Sequence, residues 1–406
     1  MSAETAPIYL DYAATTPLAP EVLEAMLPWM RHQVGFGNPS SSGHAYGREA
    51  AAAVEHARRQ VAALIAADAD GVVFTSGATE ADNLAILGAV RFAMARGRGR
   101  HVVSSRTEHS AVLGACERLR REGAEITLLQ PDRSGRIHVE QVGEALRDDT
   151  VLVSIMHANN ETGVLQDVAA LARLLRPHPA VLHVDAAQSA GRCPIRVRDW
   201  GIDLLSISAH KLYGPKGIGA LWVRPRPRLR LEPLQYGGGQ ERGYRPGTLP
   251  VHQIVGLGEA CRLALQDLTR ESARLHTLRA RLRGGLEALG SVRIHGDGDM
   301  APHIVSASFP CVHGEALSLE LGGLALSAGS ACSSARPGPS HVLRAMGLPD
   351  SLASSTFRFS IGRWTSAEQV DEAVAAVANA LERLQPLSPL AARWRDGEPL
   401  DALHEY

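Results

Sequence analysis

The chain is almost without lysine. Two lysines stand against 40 arginines in 406 residues, and both lie in one stretch, "ISAHKLYGPKGIG", as Lys211 and Lys216. Arginine supplies permanent charge and a planar fork of donors, but its very high pKa keeps it from offering a free amine. Lysine is therefore retained where an amine must react, above all to form a Schiff base with a carbonyl. Lys216, between Pro215 and Gly217, reads equally well as a solvated turn residue.

Other shortages exclude whole classes of function. Lys plus Arg is 42 and Asp plus Glu is 43, so no net field favours nucleic acid or an anionic membrane. Apolar runs such as "TVLVSIM" and "AVLHVDAA" fall far short of the roughly 20 residues that span a bilayer. The opening "MSAETAPIYLDYAATTPLAP" carries neither a signal-peptide pattern nor an Arg-rich presequence, and a cytoplasmic location is expected. Five cysteines at irregular spacings match neither a disulfide framework nor a zinc site, so reduced thiols and no metal are expected.

What is present is an alternation. From about residue 70 to 225, short apolar runs ("GVVFTS", "RHVVSS", "EITLLQ", "TVLVSIMHAN", "AVLHVDAA", "IDLLSIS", "GALWVR") are interleaved with helical-period segments. This predicts an α/β fold with a mostly parallel central sheet covered by helices. A long helical pattern over about 252–289 then leads to a smaller α/β unit. The expected division is an N-terminal segment 1–20 belonging with the small domain, a large domain 21–257 and a small domain 258–406.

Ligands of such sheets collect at the carboxyl ends of the strands. "TSGATEADN" places Ala78 and Thr79 where backbone N–H groups and a hydroxyl can meet an anion, although a plain helix cap fits equally well. "TEHSAV" puts His109 at a similar point. "HVDAAQS" ends a strand with Asp185, a carboxylate that needs a cationic partner when buried, and then Gln188. "HANNETG" adds Asn159 and Asn160, and "SISAHK" adds Ser208, His210 and Lys211. Anion cup, imidazole, carboxylate, amide and lysine together match the needs of pyridoxal 5′-phosphate.

These motifs, with "YLDYAATTP", "FGNPSS", "GGGQERGYRPGTLPVHQIVG", "SAGSACSSA", "PSHVLRAMGL" and "FRFSIGR", run nearly end to end and resemble the cysteine desulfurases of the class V aminotransferase group. These are pyridoxal-phosphate enzymes of fold type I, and the likeness is greatest to the housekeeping type that supplies sulfur for iron–sulfur cluster assembly. The resemblance implies a homodimer that converts L-cysteine to L-alanine and passes sulfur to a scaffold protein or other acceptors. It implies that Lys211 holds the cofactor, His109 stacks on its ring, Asp185 pairs with the ring nitrogen, and Gln188 and Asn160 face its phenolic oxygen. Ala78, Thr79, Ser208 and His210 fall to the phosphate, with Thr248 from the second subunit. Arg358 is expected to take the substrate carboxylate as a two-pronged fork, and Asn38 lies in a motif associated with the substrate pocket.

Among the cysteines, Cys116, Cys193, Cys261 and Cys311 have the neighbours of small buried hydrophobes. Cys332, in "LSAGSACSSARPGPS", sits in a composition suited to a mobile loop and is implied to receive the sulfur as a persulfide. Two departures from the family pattern stand out: Pro246 beside Thr248, and Arg336 with two prolines after Cys332. A selenocysteine lyase, a small-amino-acid aminotransferase and a catalytically silent scaffold are the competing readings. Cys332 argues against an aminotransferase, and the joint presence of Lys211, Asp185, His109 and Cys332 argues against a silent scaffold.

Overall fold

The structure, a computed structural model, describes residues 6–32, 35–328, 338–400 and 403. After the short strand β1 (Ile8–Tyr9), all seven apolar runs form strands: β2 (Val72–Thr75), β3 (His101–Ser105), β4 (Glu125–Leu129), β5 (Thr150–Ser154), β6 (Val181–Asp185), β7 (Leu204–Ser208) and β8 (Gly219–Val223). They make one sheet in the order β2-β8-β7-β6-β5-β3-β4. All neighbours pair in parallel except β8, which is antiparallel to both β7 and β2. The short connection after β7 holds no crossover helix, so the chain must turn straight back. Lys211 lies in that connection.

Alternate residues of the strands feed two cores. Val72 and Phe74 pack into one cluster and Val73 into the other; Val103 and Val102, and Leu205 and Leu204, divide in the same way. Helix Ala78–Met94 covers one face through Ala81, Leu84 and Ala85, and helix Ala45–Leu64 covers the other through Val54, Ala57 and Val61. A sheet buried on both faces explains why its strands read as continuous apolar runs.

The long helical pattern is a single helix, Val251–Glu287. Ile254, Leu257 and Ala264 join the large core, whereas Leu275, Leu282 and Leu286 join a separate one. That second core lines an antiparallel sheet of β9 (Arg293–His295), β10 (Ile304–Ser308), β12 (Ser327–Ala328) and β13 (Thr356–Ser360), in the order β12-β13-β10-β9. β11 (Leu324–Ala325) pairs in parallel with β1. Residues of the first segment reach both cores: Leu10 is buried in the small one, Tyr12 and Ala19 in the large one. Tyr12 is drawn across by ring contacts to Tyr9 and Tyr213 at 5.0 and 6.3 Å.

A buried ion pair fixes the Gly-rich stretch before the long helix. Glu241, with φ of 48°, accepts from Arg58 at 2.7 and 2.9 Å and from the Phe74 N–H at 2.7 Å. Removing one member of such a pair leaves an uncompensated buried charge, which typically costs about 3–5 kcal/mol. Glu241→Ala is therefore expected to lower unfolding free energy by about that amount in urea titrations. A loss below about 1 kcal/mol, the scale of an exposed pair, would show that the clamp carries little.

Candidate active site

The carboxyl ends of β2, β3, β5, β6 and β7 open into a cavity of about 720 Å³. At the end of β2, Gly77 adopts φ of 154° and ψ of 179°, a conformation close to glycine-only. A Cβ on Gly219 at the start of β8 would meet the Gly77 Cα at 2.7 Å. Two glycines thus let the strand ends approach and aim the first turn of helix Ala78–Met94 at the cavity. Ala78 and Thr79 line it there, with Ser208 and His210 from the end of β7. His210 Nδ1 pairs with the Thr15 hydroxyl at 3.1 Å, and burial pushes its imidazole down to about 4.

Lys211 lines the same cavity. Burial lowers its ammonium below the ordinary lysine range, against the opposing pull of Asp185. The shift is toward the neutral, nucleophilic amine. Asp185, at the end of β6, is buried and accepts from the Ala187 N–H at 2.8 Å. His109 caps helix Ser110–Arg121, its Nδ1 accepting from the Ala111 N–H at 3.2 Å, and burial lowers its pKa. Gln188 donates to the Ala13 carbonyl at 2.8 Å and meets His303 at 3.3 Å, while the buried Asn160 Oδ1 has no partner.

Arg358 enters from β13 of the other unit. It donates through Nη1 to the Asn160 carbonyl at 2.7 Å and through Nη2 to Asp11 Oδ1 at 2.8 Å and Ser327 Oγ at 2.9 Å, leaving Nε buried and unpartnered. The expected two-pronged fork is therefore partly taken by the protein's own acceptors. Lys216 is exposed at the cavity's edge.

Two expected residues are not brought here. Asn38 is exposed and outside this chain's own lining, and its side chain accepts from the Ser40 N–H at 2.9 Å in a local turn. Thr248 is exposed and also outside this chain's own lining. Its neighbour Pro246 is buried beside Gly237, and Arg245 pairs with Glu80 at 3.0 Å at the cavity wall. Cys332 and Arg336 lie outside the described residues.

Sequence reading missed three carboxylates. Asp11 is the first. Asp82, 1% exposed, lines the cavity with neither oxygen hydrogen-bonded and His183 Nε2 at 3.6 Å from Oδ1, and burial, reinforced by Asp185, raises its pKa well above the usual range. Glu108 accepts from the Met156 N–H at 2.9 Å and is likewise raised by burial. Asp82 had a signal: it falls on the apolar face of its helix, four residues before Ile86 and among Ala81 and Ala85. Among the described residues, no cluster of side chains is suited to a metal ion, and no helix is long and apolar enough to cross a membrane.

Comparison with known proteins agrees with this geometry. The aminotransferase class-V family model matches residues 8–373. Cysteine desulfurases IscS of Vibrio vulnificus and Photorhabdus laumondii are 52% and 51% identical over 398 residues, covering 98% of this chain and 98% of theirs. A solved NifS-like protein superposes with a TM-score of 0.85 at 33% identity, over 93% of this chain and 100% of its own. A cavity built at the strand ends around a lysine and a buried carboxylate, on a chain that matches these proteins nearly end to end, places the protein in the class V aminotransferase family, among its cysteine desulfurases.

Proposed function

We propose that this cavity holds pyridoxal 5′-phosphate and that the protein uses it to convert L-cysteine to L-alanine, with transfer of sulfur to Cys332. The observation that carries this reading is the convergence on one cavity of His109, Asp185 and Lys211, from three strand ends of the large sheet, with Arg358 from the middle of β13. The donor set suits the group. Hydroxyls, an imidazole and a helix N-terminus form an anion-binding end at Ala78, Thr79, Ser208 and His210. Asp185 supplies a carboxylate for a cationic ring nitrogen, and the unpartnered Asn160 Oδ1 is a buried acceptor that a ligand would satisfy.

When bound, the cofactor supplies an electron sink for charge released at the substrate's α-carbon. The remaining work belongs to the chain. Lys211 would tether the cofactor and, once released by substrate, Nζ would remove and return the α-proton as a general base. Asp185 would hold the ring nitrogen in its charged form, His109 would lie against the ring, and Gln188 and Asn160 would serve the phenolic oxygen. Arg358 receives the substrate carboxylate. Cys332 accepts the sulfur.

The four described cysteines support Cys332 by contrast. All are free and buried, and burial pushes the Cys116 and Cys193 thiols up to about 12 and Cys311 up to about 11. Free thiols also accord with the reducing cytoplasm. A homodimer would bring Thr248 of one copy to the phosphate of the other, its exposure leaving it available. An iron–sulfur scaffold or another acceptor protein would take the persulfide onward.

The test is direct. With L-cysteine, the holoenzyme is expected to release alanine and to gain 32 Da on the peptide that contains Cys332, read by mass spectrometry as one added sulfur atom on a thiol. Alanine without any persulfide, or a persulfide on Cys116, would overturn the assignment.

A further inference from the structure

Asp11 is joined to Arg358 and to nothing the proposed chemistry uses. Its Oδ1 accepts from Arg358 Nη2 at 2.8 Å and from Ser327 Oγ at 2.8 Å, and both Asp11 and Arg358 line the cavity. The obvious reading is a strut that holds the arginine in place. The surrounding bonds weaken that reading. The backbone of this segment is already fixed, with Leu10 donating to the Ala325 carbonyl at 3.0 Å and Ser360 donating to the Leu10 carbonyl at 2.7 Å. Ala13 N–H donates to Ser360 Oγ at 2.9 Å. Arg358 is also oriented by two neutral acceptors, the Asn160 carbonyl at 2.7 Å, which owes nothing to Asp11, and Ser327 Oγ at 2.9 Å, which itself bonds Asp11. Ser327 is in turn the register partner of Arg358 on the adjacent strand.

What the Asp11 carboxylate adds is therefore charge. It neutralises the guanidinium before any substrate enters, at a place where the two side chains are only 20% and 8% exposed and water screens weakly. We infer that Asp11 is a built-in competitor of the substrate's carboxylate at Arg358, a positioning residue that deliberately weakens carboxylate binding. This rests on the reading that Arg358 takes that carboxylate.

The device has a kinetic logic. A carboxylate is carried unchanged from substrate to product, so binding it tightly lowers the energy of every state equally and slows product departure without helping the chemistry. A neutral ion pair still orients the incoming group through the N–H donors that remain, including the unpartnered Nε, but holds it less firmly. Asp11 thereby keeps the site from being occupied by its own product.

The experiment measures equilibrium binding of L-alanine to the holoenzyme by calorimetry, beside KM and kcat for L-cysteine. Asp11→Asn keeps an acceptor for Arg358 and Ser327 and removes only the charge. It is expected to bind L-alanine about three- to tenfold more tightly, from one like-charge contact of about 1 kcal/mol relieved, with KM falling by a similar factor and kcat not rising. Asp11→Ser is expected to move binding in the same direction, which guards against an idiosyncratic fold defect in one variant. Weaker or unchanged L-alanine binding in Asp11→Asn, with the variant folded, would show a strut and overturn the inference. Arg358→Gln separates the two layers: it must weaken L-alanine binding at least about tenfold, the usual cost of losing a charged hydrogen-bond partner. Unchanged binding there would overturn the reading of Arg358 itself, whatever Asp11 does.

Discussion

Replacing Lys211 by alanine is expected to abolish L-cysteine turnover, with a fall of at least about 10³-fold, and to remove the visible absorption of a covalently held cofactor. The size follows from two tasks lost together, since a general base alone contributes about 10²- to 10⁴-fold. Lys211 is suited to both because burial lowers its ammonium while Asp185, on the neighbouring strand, limits that shift. Arginine cannot substitute, having no accessible free amine. Lys216 provides the control: it is exposed at the cavity's edge, and nothing ties it to the proposed proton transfer. Absorbance spectra and single-turnover assays of Lys211→Ala and Lys211→Arg check the expectation. A variant that keeps the visible band and substantial turnover would remove Lys211 from its role.

Replacing Cys332 by serine is expected to stop persulfide and sulfide production, by at least about 10³-fold, while cofactor absorption and L-cysteine binding persist. Serine keeps the size but loses the thiolate, which is the nucleophile in sulfur chemistry. The buried thiols cannot stand in. With Cys116 pushed up to about 12, its thiolate fraction at neutral pH is on the order of 10⁻⁵, and it has no route to an acceptor protein. Cys116→Ser should accordingly leave sulfur release within about twofold of the parent, an ordinary margin for a conservative change in a buried position that does not touch the chemistry. Loss of sulfur transfer in Cys116→Ser with retention in Cys332→Ser would reverse the assignment. The pair of variants also separates tasks, since Lys211→Ala should fail before the carbon–sulfur bond is touched and Cys332→Ser only at sulfur acceptance.

Much of the fold and part of the site were legible in the chain. The seven apolar runs between residues 70 and 225 became the seven strands of the large sheet, and the helical pattern near 252–289 became one helix. Strand ends could be read as well, because burial on both faces makes a strand continuous and apolar until it reaches the polar residues beyond its end. Asp185, Ser208, His210 and Lys211 were identified on that basis, and all line the cavity. The scarcity of lysine singled out Lys211 before any fold was considered.

The rest depended on segments far apart in sequence. Asp11 and Arg358 are 347 positions apart, and Arg58 and Glu241 are 183 apart, so no local pattern relates either pair. Asn38 lay in a suggestive motif, yet its side chain serves its own turn. Asp82 stands out locally only as a carboxylate on an apolar helix face, and the sheet decides that it is buried near Asp185. The sequence by itself determined the periodicities, the strand ends and the chemical inventory, because these depend on neighbours within a turn or a strand. Only the tertiary structure decided which charges face one another and which donor of Arg358 is left unpartnered, because burial and ion pairing arise from topology.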